Sequence, residues 1–364
     1  MSVPNALLQG CRSGDINIAL VVPQSGPSGI YGPSCEASAR LAVSEINNGG
    51  GILGREVQLH LVDGGAPPRQ VASEVDRMVR AGDVTGIAGW HTSAVREEIA
   101  ARVAGRVPYL YTAVYEGGEH APGVFLTGET PVTQLLPAMR WMSTEMGVRR
   151  WFVLGSDYVW PRESARSARE FADQVDAEIA DEVFVELGTE DFGGVLRRIE
   201  HARPHGVLMF LLGSDAVRFN RAFTEMCLHE RCVRLSPLMD ENMLFATGAA
   251  NTHELYSAAG FFETLGDAYS LDYGRRYQAH LGQSAPAITS PGESCYEGIT
   301  LLERLAAAAG SMEVGSLVRA SESLTYEGPR GAVRVQDRHL QQRIYMARAD
   351  GLEFDVLHEI NSGI

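Results

Sequence analysis

The chain has 364 residues, 45% apolar and 21% charged, enough to bury one or two sizeable cores and too apolar for disorder; at roughly 100 to 200 residues per domain, two domains are expected. Its 46 acidic residues against 31 basic ones leave a formal charge of −15, which repels a phosphate backbone and argues against direct nucleic-acid binding. No stretch approaches the roughly 20 apolar residues of a membrane-spanning helix.

Met1 to Gly14 carries no Lys or Arg ahead of Cys11, and its apolar stretch, Ala6 to Leu8, is too short for the core of a secretion signal. As written, the sequence reads as cytoplasmic. The run Leu8-Gln9-Gly10-Cys11 resembles the end of a lipoprotein signal, so an extracytoplasmic lipoprotein is the alternative if translation begins upstream. The five cysteines (Cys11, Cys35, Cys227, Cys232, Cys295) are odd in number and scattered, which suits a reducing compartment.

Short apolar runs then alternate with amphipathic stretches, the pattern of α/β architecture with parallel sheets covered by helices. Ile16 to Val22, Val57 to Val62, Thr85 to Ala88, Tyr109 to Tyr111 and Val124 to Thr127 read as strands. Pro33 to Ile46 is a helix, opened by a proline suited to the first turn and stopped by Asn47-Asn48-Gly49-Gly50-Gly51. A second series follows Pro131, with strands at Arg150 to Leu154, Ile179 to Val185, Val207 to Leu212 and Arg234 to Leu235. The last third holds a long helix, Gly292 to Ala309, the turn Glu327-Gly328-Pro329-Arg330-Gly331, and strands at Gln342 to Arg348 and Phe354 to Ile360. No internal repeat or low-complexity tract is present.

Open parallel sheets bind ligands beyond the carboxyl ends of their strands. The residues there are Gln24-Ser25-Gly26-Pro27, Trp90-His91-Thr92-Ser93, Tyr111-Thr112-Ala113, Gly155 to Trp160, and Asp240-Glu241. Aromatic rings and small hydroxyls dominate, and no Lys or Arg occurs in these loops before Arg162. Such a lining suits a small, neutral, polar ligand: rings exclude water and set shape, while hydroxyls and a carboxylate fix donors and acceptors. The plainer alternative is that Tyr158 and Trp160 only staple the entry of a helix.

Other signals carry less. The glycine run Gly49 to Gly54 follows a helix and precedes a strand, the reverse of a phosphate cradle, and lacks the Lys-Ser/Thr pair. Cys227, Cys232 and His229, with His201 and His205, fit no zinc spacing, so neither a metal nor any other cofactor is expected. Ser93 beside His91 lacks a nucleophile elbow, and Asp157 with Glu241 more plausibly orients a ligand than cleaves one. The chain reads as a binding protein, not an enzyme.

Three segments carry a family resemblance: Ser25-Gly26-Pro27 with Tyr31-Gly32, Leu41-Ala42-Val43-Ser44-Glu45-Ile46-Asn47, and Gly50-Gly51-Ile52-Leu53-Gly54-Arg55. Together they resemble the opening of the type I periplasmic binding protein family. Tyr115-Glu116-Gly117, Gly155-Ser156-Asp157-Tyr158-Val159-Trp160-Pro161-Arg162-Glu163 and Gly328 to Val335 resemble its urea and short-chain amide branch. The resemblance implies a two-lobed clamshell, each lobe a mostly parallel sheet flanked by helices, with the ligand between lobes. The first lobe would hold residues 15–127 and about 264–329, the second 128–263 and about 330–364. Carried over, His91, Thr92 and Ser93 face the ligand after a strand, and Tyr111, Thr112 and Ala113 form the facing wall. Tyr158 and Trp160 close over the ligand, and Glu241 supplies the acidic residue. Two roles follow: a sensor of amides acting on a partner regulatory protein, or the binding subunit of an ABC importer, docking on its permease, for urea, short-chain amides or branched-chain amino acids. Self-association as a homo-oligomer stays open.

Overall fold

The computed structural model describes residues 14–361, so the Cys11 context lies outside the described residues. Strands β1 (Ile16–Val22), β2 (Val57–Asp63), β3 (Gly86–Gly89), β4 (Tyr109–Tyr111) and β5 (Val124–Leu126) run parallel. Helices α1 (Gly32–Asn48), α2 (Pro68–Ala81) and α3 (Ser93–Val103) make three of the connections. Every residue of β1 is buried, as expected of a strand covered on both faces. Helix α1 stops where the sequence predicts a stop: Gly51 has φ 77°, and a Cβ there would lie 2.0 Å from the Arg55 carbonyl oxygen. The glycine run is therefore a tight turn into β2.

The second series repeats this logic. Helix α4 (Leu136–Met146) leads into β6 (Arg150–Ser156), α5 (Val159–Ala172), β7 (Glu178–Val185), α6 (Gly193–Ala202) and β8 (Gly206–Phe210). There follow α7 (Ser214–Glu225), β9 (Val233–Ser236), α8 (Glu241–Thr247) and β10 (Leu255–Ala259). The chain then returns to the first lobe, where α9 (Ala268–Leu281) and α10 (Ser290–Ala309) pack on α1, and α11 (Val314–Ser321) packs on α10. Strands β11 (Thr325–Gly328), β12 (Gly331–Gln336) and β13 (His339–Gln341) extend the first sheet, and β14 (Ile344–Asp350) and β15 (Glu353–Asn361) extend the second. The sheet orders are β11-β12-β13-β5-β4-β3-β1-β2 and β15-β14-β10-β9-β8-β6-β7.

One boundary needs correction. Residues from about 330 were expected in the second lobe, yet β12 pairs antiparallel with β11 and β13, and β13 pairs with β5. The final crossing comes after Gln341. The segment Gly328 to Gly331 is a hairpin turn inside the first sheet, and β12 alternates buried and exposed residues as a strand with one wet face does.

A buried ionic cluster ties the crossings together. The Glu129 carboxylate accepts the Gly260 N–H at 2.8 Å and pairs with Arg330 at 3.1 Å, joining the first two crossings. Arg330 also pairs with Glu293, and the Tyr326 hydroxyl donates to Glu297 at 2.6 Å. At the third crossing Gln342 donates to the Thr127 carbonyl at 3.0 Å. Burial pushes the Glu293 and Glu297 carboxyls upward, with Arg330 opposing.

Candidate functional site

The carboxyl ends of the two sheets face each other, and the lobes meet there in a closed arrangement. The turn Pro27–Tyr31 is anchored by Asp63 at the end of β2, whose carboxylate accepts the Gln24 N–H at 2.7 Å and the Ser25 hydroxyl at 2.6 Å. Those bonds hold the Asp63 carboxyl below its usual range although burial opposes them. The turn packs on α7 and α8, and α3 packs on α5 across the interface. At its end the buried Tyr31 hydroxyl accepts the Gly213 N–H at 3.1 Å and donates to Met243 Sδ at 3.1 Å. Gly213 has φ 47°, and a Cβ on it would lie 2.0 Å from the Pro27 carbonyl oxygen, so glycine permits the approach.

Beside this latch a cavity of about 20 Å³ remains between the lobes, the size of one water molecule. Trp90, Thr112, Val114 and Ser294 line it from the first lobe, Leu238, Met239 and Asp240 from the second, and Glu129 from the first crossing. The Tyr31 and Trp90 rings pack at a 41° tilt with centroids 4.4 Å apart. The cavity wall contains two carboxylates and no Lys or Arg. Asp240 caps α8 through Oδ1, which accepts the Met243 N–H at 2.9 Å, and burial pushes its carboxyl up to about 7.

Of the residues expected to face a ligand, Thr112 is in the cavity wall, although its hydroxyl lies 3.3 Å from Cys295 Sγ. Trp90 occupies the place expected of His91. The His91 ring is spent inside the first lobe, with Nδ1 3.0 Å from the Val21 carbonyl and Nε2 2.5 Å from the Tyr109 hydroxyl. Burial lowers its pKa to about 4, which keeps it neutral, with Nδ1–H donating and Nε2 accepting. Ser93 donates to Glu116 at 2.6 Å, and Glu116 pairs with the buried Arg96 at 2.7 Å, giving the Tyr115-Glu116-Gly117 motif a structural role. Thr92 is half-buried at the start of α3, with its carbonyl accepting the Val95 N–H at 3.0 Å.

Tyr111 is buried and donates to the His91 carbonyl at 2.8 Å, with Arg96 over its ring at 5.4 Å. Ala113 packs its carbonyl against Gly128 in the first crossing. Tyr158 reaches the interface from the second lobe: burial raises its pKa, and the Tyr111 and Tyr31 hydroxyls opposite raise it further. Trp160 lies behind it, its ring edge-on to Phe210 at 5.7 Å, as a support in the second-lobe core. Glu241 is buried but accepts the Glu263 N–H at 2.9 Å; its neighbour Asp240 is in the cavity wall instead. Sequence reasoning missed Tyr31, Gly213 and Trp90 as contacts between lobes, although all three fall in loops at strand ends. Among the described residues no group of three or more His, Cys, Asp or Glu could hold a metal ion.

A family model described as periplasmic binding protein matches residues 15–353. The chain belongs to that family. Periplasmic binding proteins close two lobes on a solute and break no bond, so this one is not an enzyme. The chain is 25% identical over 354 residues to the Leu/Ile/Val-binding protein homolog 6 of Brucella melitensis, covering 92% of this periplasmic binding protein and 88% of that one. A solute-binding protein of an ABC transporter from Rhodopseudomonas palustris, solved with 3,4-dihydroxy benzoic acid, superposes with TM-score 0.83 at 22% identity, covering 96% of this chain and 98% of that one. A branched-chain amino acid transporter substrate-binding protein from Streptococcus pneumoniae, solved with isoleucine, gives TM-score 0.82 at 18% identity, covering 94% and 99%. These likenesses agree on the fold while the bound solutes differ.

Proposed function

We propose that this protein is the binding component of an ABC importer and that its solute is a small, uncharged nitrogen compound of the urea or short-chain amide type. The relatives named above are binding proteins of transporters or homologues of Leu/Ile/Val-binding proteins, which favours import over the sensor role expected first from the sequence. An extracytoplasmic setting goes with that role better than a cytoplasmic one. The observation that carries the ligand class is the interlobe cavity: an aromatic wall from Trp90, the carboxylates of Asp240 and the Arg330-paired Glu129, and no Lys or Arg in the wall to meet a ligand carboxylate. A benzoate would lack a charge partner there, and a zwitterionic amino acid would lack one for its carboxylate.

Closure supplies the mechanism. The cavity is enclosed between the lobes, so a solute enters while they are parted and the walls adjust around it as they close. Its binding energy then shifts the population toward closure only as far as it prefers the closed form. A ligand of about four heavy atoms gains at most about 6 kcal/mol, giving a Kd on the order of tens of micromolar. Calorimetric titration with urea, acetamide and propionamide beside isoleucine and 3,4-dihydroxybenzoate tests the assignment. Binding confined to isoleucine or the benzoate would refute the amide reading and leave the importer reading standing.

A further inference from the structure

The four cysteines among the described residues divide by lobe. Cys227 is exposed and Cys232 buried in the second lobe, where Cys232 Sγ faces the Val233 carbonyl at 3.6 Å. Cys35 on α1 and Cys295 on α10 are buried in the first lobe, at 0% and 1% exposure. Although far apart in the chain, these two are neighbours in space, and the Cys295 thiol acts on Cys35 through a side-chain interaction. Their helices approach at backbone distance: a Cβ on Gly292, one turn before Cys295, would lie 2.9 Å from the Ser34 carbonyl oxygen and 3.0 Å from Ser38 Oγ. Polar bonds fix that register on either side of Cys35. The Ser34 hydroxyl lies 2.9 Å from the Thr289 hydroxyl, and Ser38 accepts from the Tyr273 hydroxyl at 3.0 Å. Burial, Cys295 and Asp240 all keep the Cys35 thiol protonated, so the pair is neither a nucleophile nor a metal clip in the folded protein.

We propose that Cys35 and Cys295 are a disulfide site, closed as the chain folds where a disulfide-bearing thiol oxidant is present. A disulfide needs Cα atoms within about 7 Å of each other, a reach that facing residues have on helices in backbone contact. One thiolate attacks a sulfur of the oxidant, and the second then attacks the mixed disulfide. Two S–H bonds give way to one S–S bond, and two protons and two electrons leave with the oxidant, which departs as a dithiol. Burial sets the timing. Once α1 docks on α10 no oxidant reaches either sulfur, so the bond forms before docking is complete. The bond ties α1 to a helix that the chain builds only after its excursion through the second lobe, and closing so long a loop restricts the unfolded chain strongly. Cysteines that are odd in number and scattered in the sequence thus include a pair matched in space, and they no longer argue for a reducing compartment.

The test makes the full chain in a host with an oxidising cytosol and in one with a reducing cytosol. Each product is denatured in the presence of an alkylating agent and mapped by peptide mass spectrometry. The oxidising host should yield a crosslinked Cys35–Cys295 peptide, lighter by two hydrogens than its two parts, and the reducing host should yield both cysteines alkylated. The oxidised protein should melt at least about 5 °C higher, a difference that vanishes on full reduction. Cys35→Ser and Cys295→Ser should each melt alike from both hosts. If neither variant folds, the wild-type map and melting points decide. Alkylated Cys35 and Cys295 from the oxidising host overturn the proposal, and so does a link from either to Cys227 or Cys232. A Cys35–Cys295 link that lowers the melting point also overturns it, because the fold would then resist the bond. None of these readouts involves a solute, so failure here leaves the importer and amide readings standing.

Discussion

Replacing Gly213 by Ala isolates lobe closure from folding. Two costs arise, and they fall on different states. The Gly213 backbone, φ 47° and ψ −115°, lies in a region that L side chains avoid, so the variant loses about 1–2 kcal/mol of stability whether the lobes are open or closed. The added Cβ also meets the Pro27 carbonyl oxygen at 2.0 Å and the Ile30 side chain at 3.1 Å, contacts that exist only when the lobes are shut. Restoring the 3.4 Å of ordinary contact demands a retreat of about 1.4 Å, enough to break the 3.1 Å bond from Gly213 N–H to Tyr31. Loss of that bond, about 1 kcal/mol, and of packing around it, about 1–2 kcal/mol, raises the closed form by about 2–3 kcal/mol. Solute affinity should therefore fall roughly 30- to 150-fold, since each 1.4 kcal/mol is tenfold. The assay is calorimetry with the tightest solute from the screen, beside small-angle scattering with and without it. Affinity within threefold of wild type, with normal ligand-induced compaction, would falsify the idea that the bound form brings Gly213 against Pro27.

Arg330→Met should lower stability by about 3–5 kcal/mol, because Glu129 and Glu293 are left buried without their cation; chemical denaturation reads this, and an unchanged midpoint would mean the cluster is not ionised. His91 is held neutral with a pKa near 4, below its ordinary 6.5. Its contribution is complete above pH 6.5 and is lost as pH falls toward 4, about 2 kcal/mol between pH 7 and 5. His91→Gln should be less stable at pH 7 yet show a shallower loss over that interval, and parallel pH profiles would contradict the buried neutral ring. Tyr158→Ala should weaken solute binding at least tenfold, whereas Trp160→Leu, acting in the core behind it, should cost mainly thermal stability; equal effects on affinity would place Trp160 in the site. Trp90→Phe should abolish most of the fluorescence change on solute binding, since Trp90 is the tryptophan in the cavity wall; a full signal in the variant would point elsewhere.

The elements were legible because local chemistry determines them. Apolar runs such as Ile16–Val22 can only be buried strands, and Asn48 followed by three glycines can only end a helix, so the α/β class and the two series follow from the chain order. The loops around the interlobe cavity were legible for the same reason, since they lie at the carboxyl ends of parallel strands. Which side chain in a loop turns inward was not. Trp90 rather than His91, and Asp240 rather than Glu241, line the cavity, and a one-residue choice of direction is set by pairing and capping that residue type does not reveal. His91 looked like a ligand contact because its partners, Val21 and Tyr109, are 70 and 18 residues away in the chain. β12 and β13 were not legible as strands beside the turn at Gly328 to Gly331; pairing with β11 and β5 makes them strands of the first sheet. Sequence by itself determined what the segments of the two α/β series are, through propensity and periodicity; tertiary structure alone decided which residues meet across the lobes, because Tyr31 and Gly213 become partners only when two separately built sheets close on each other.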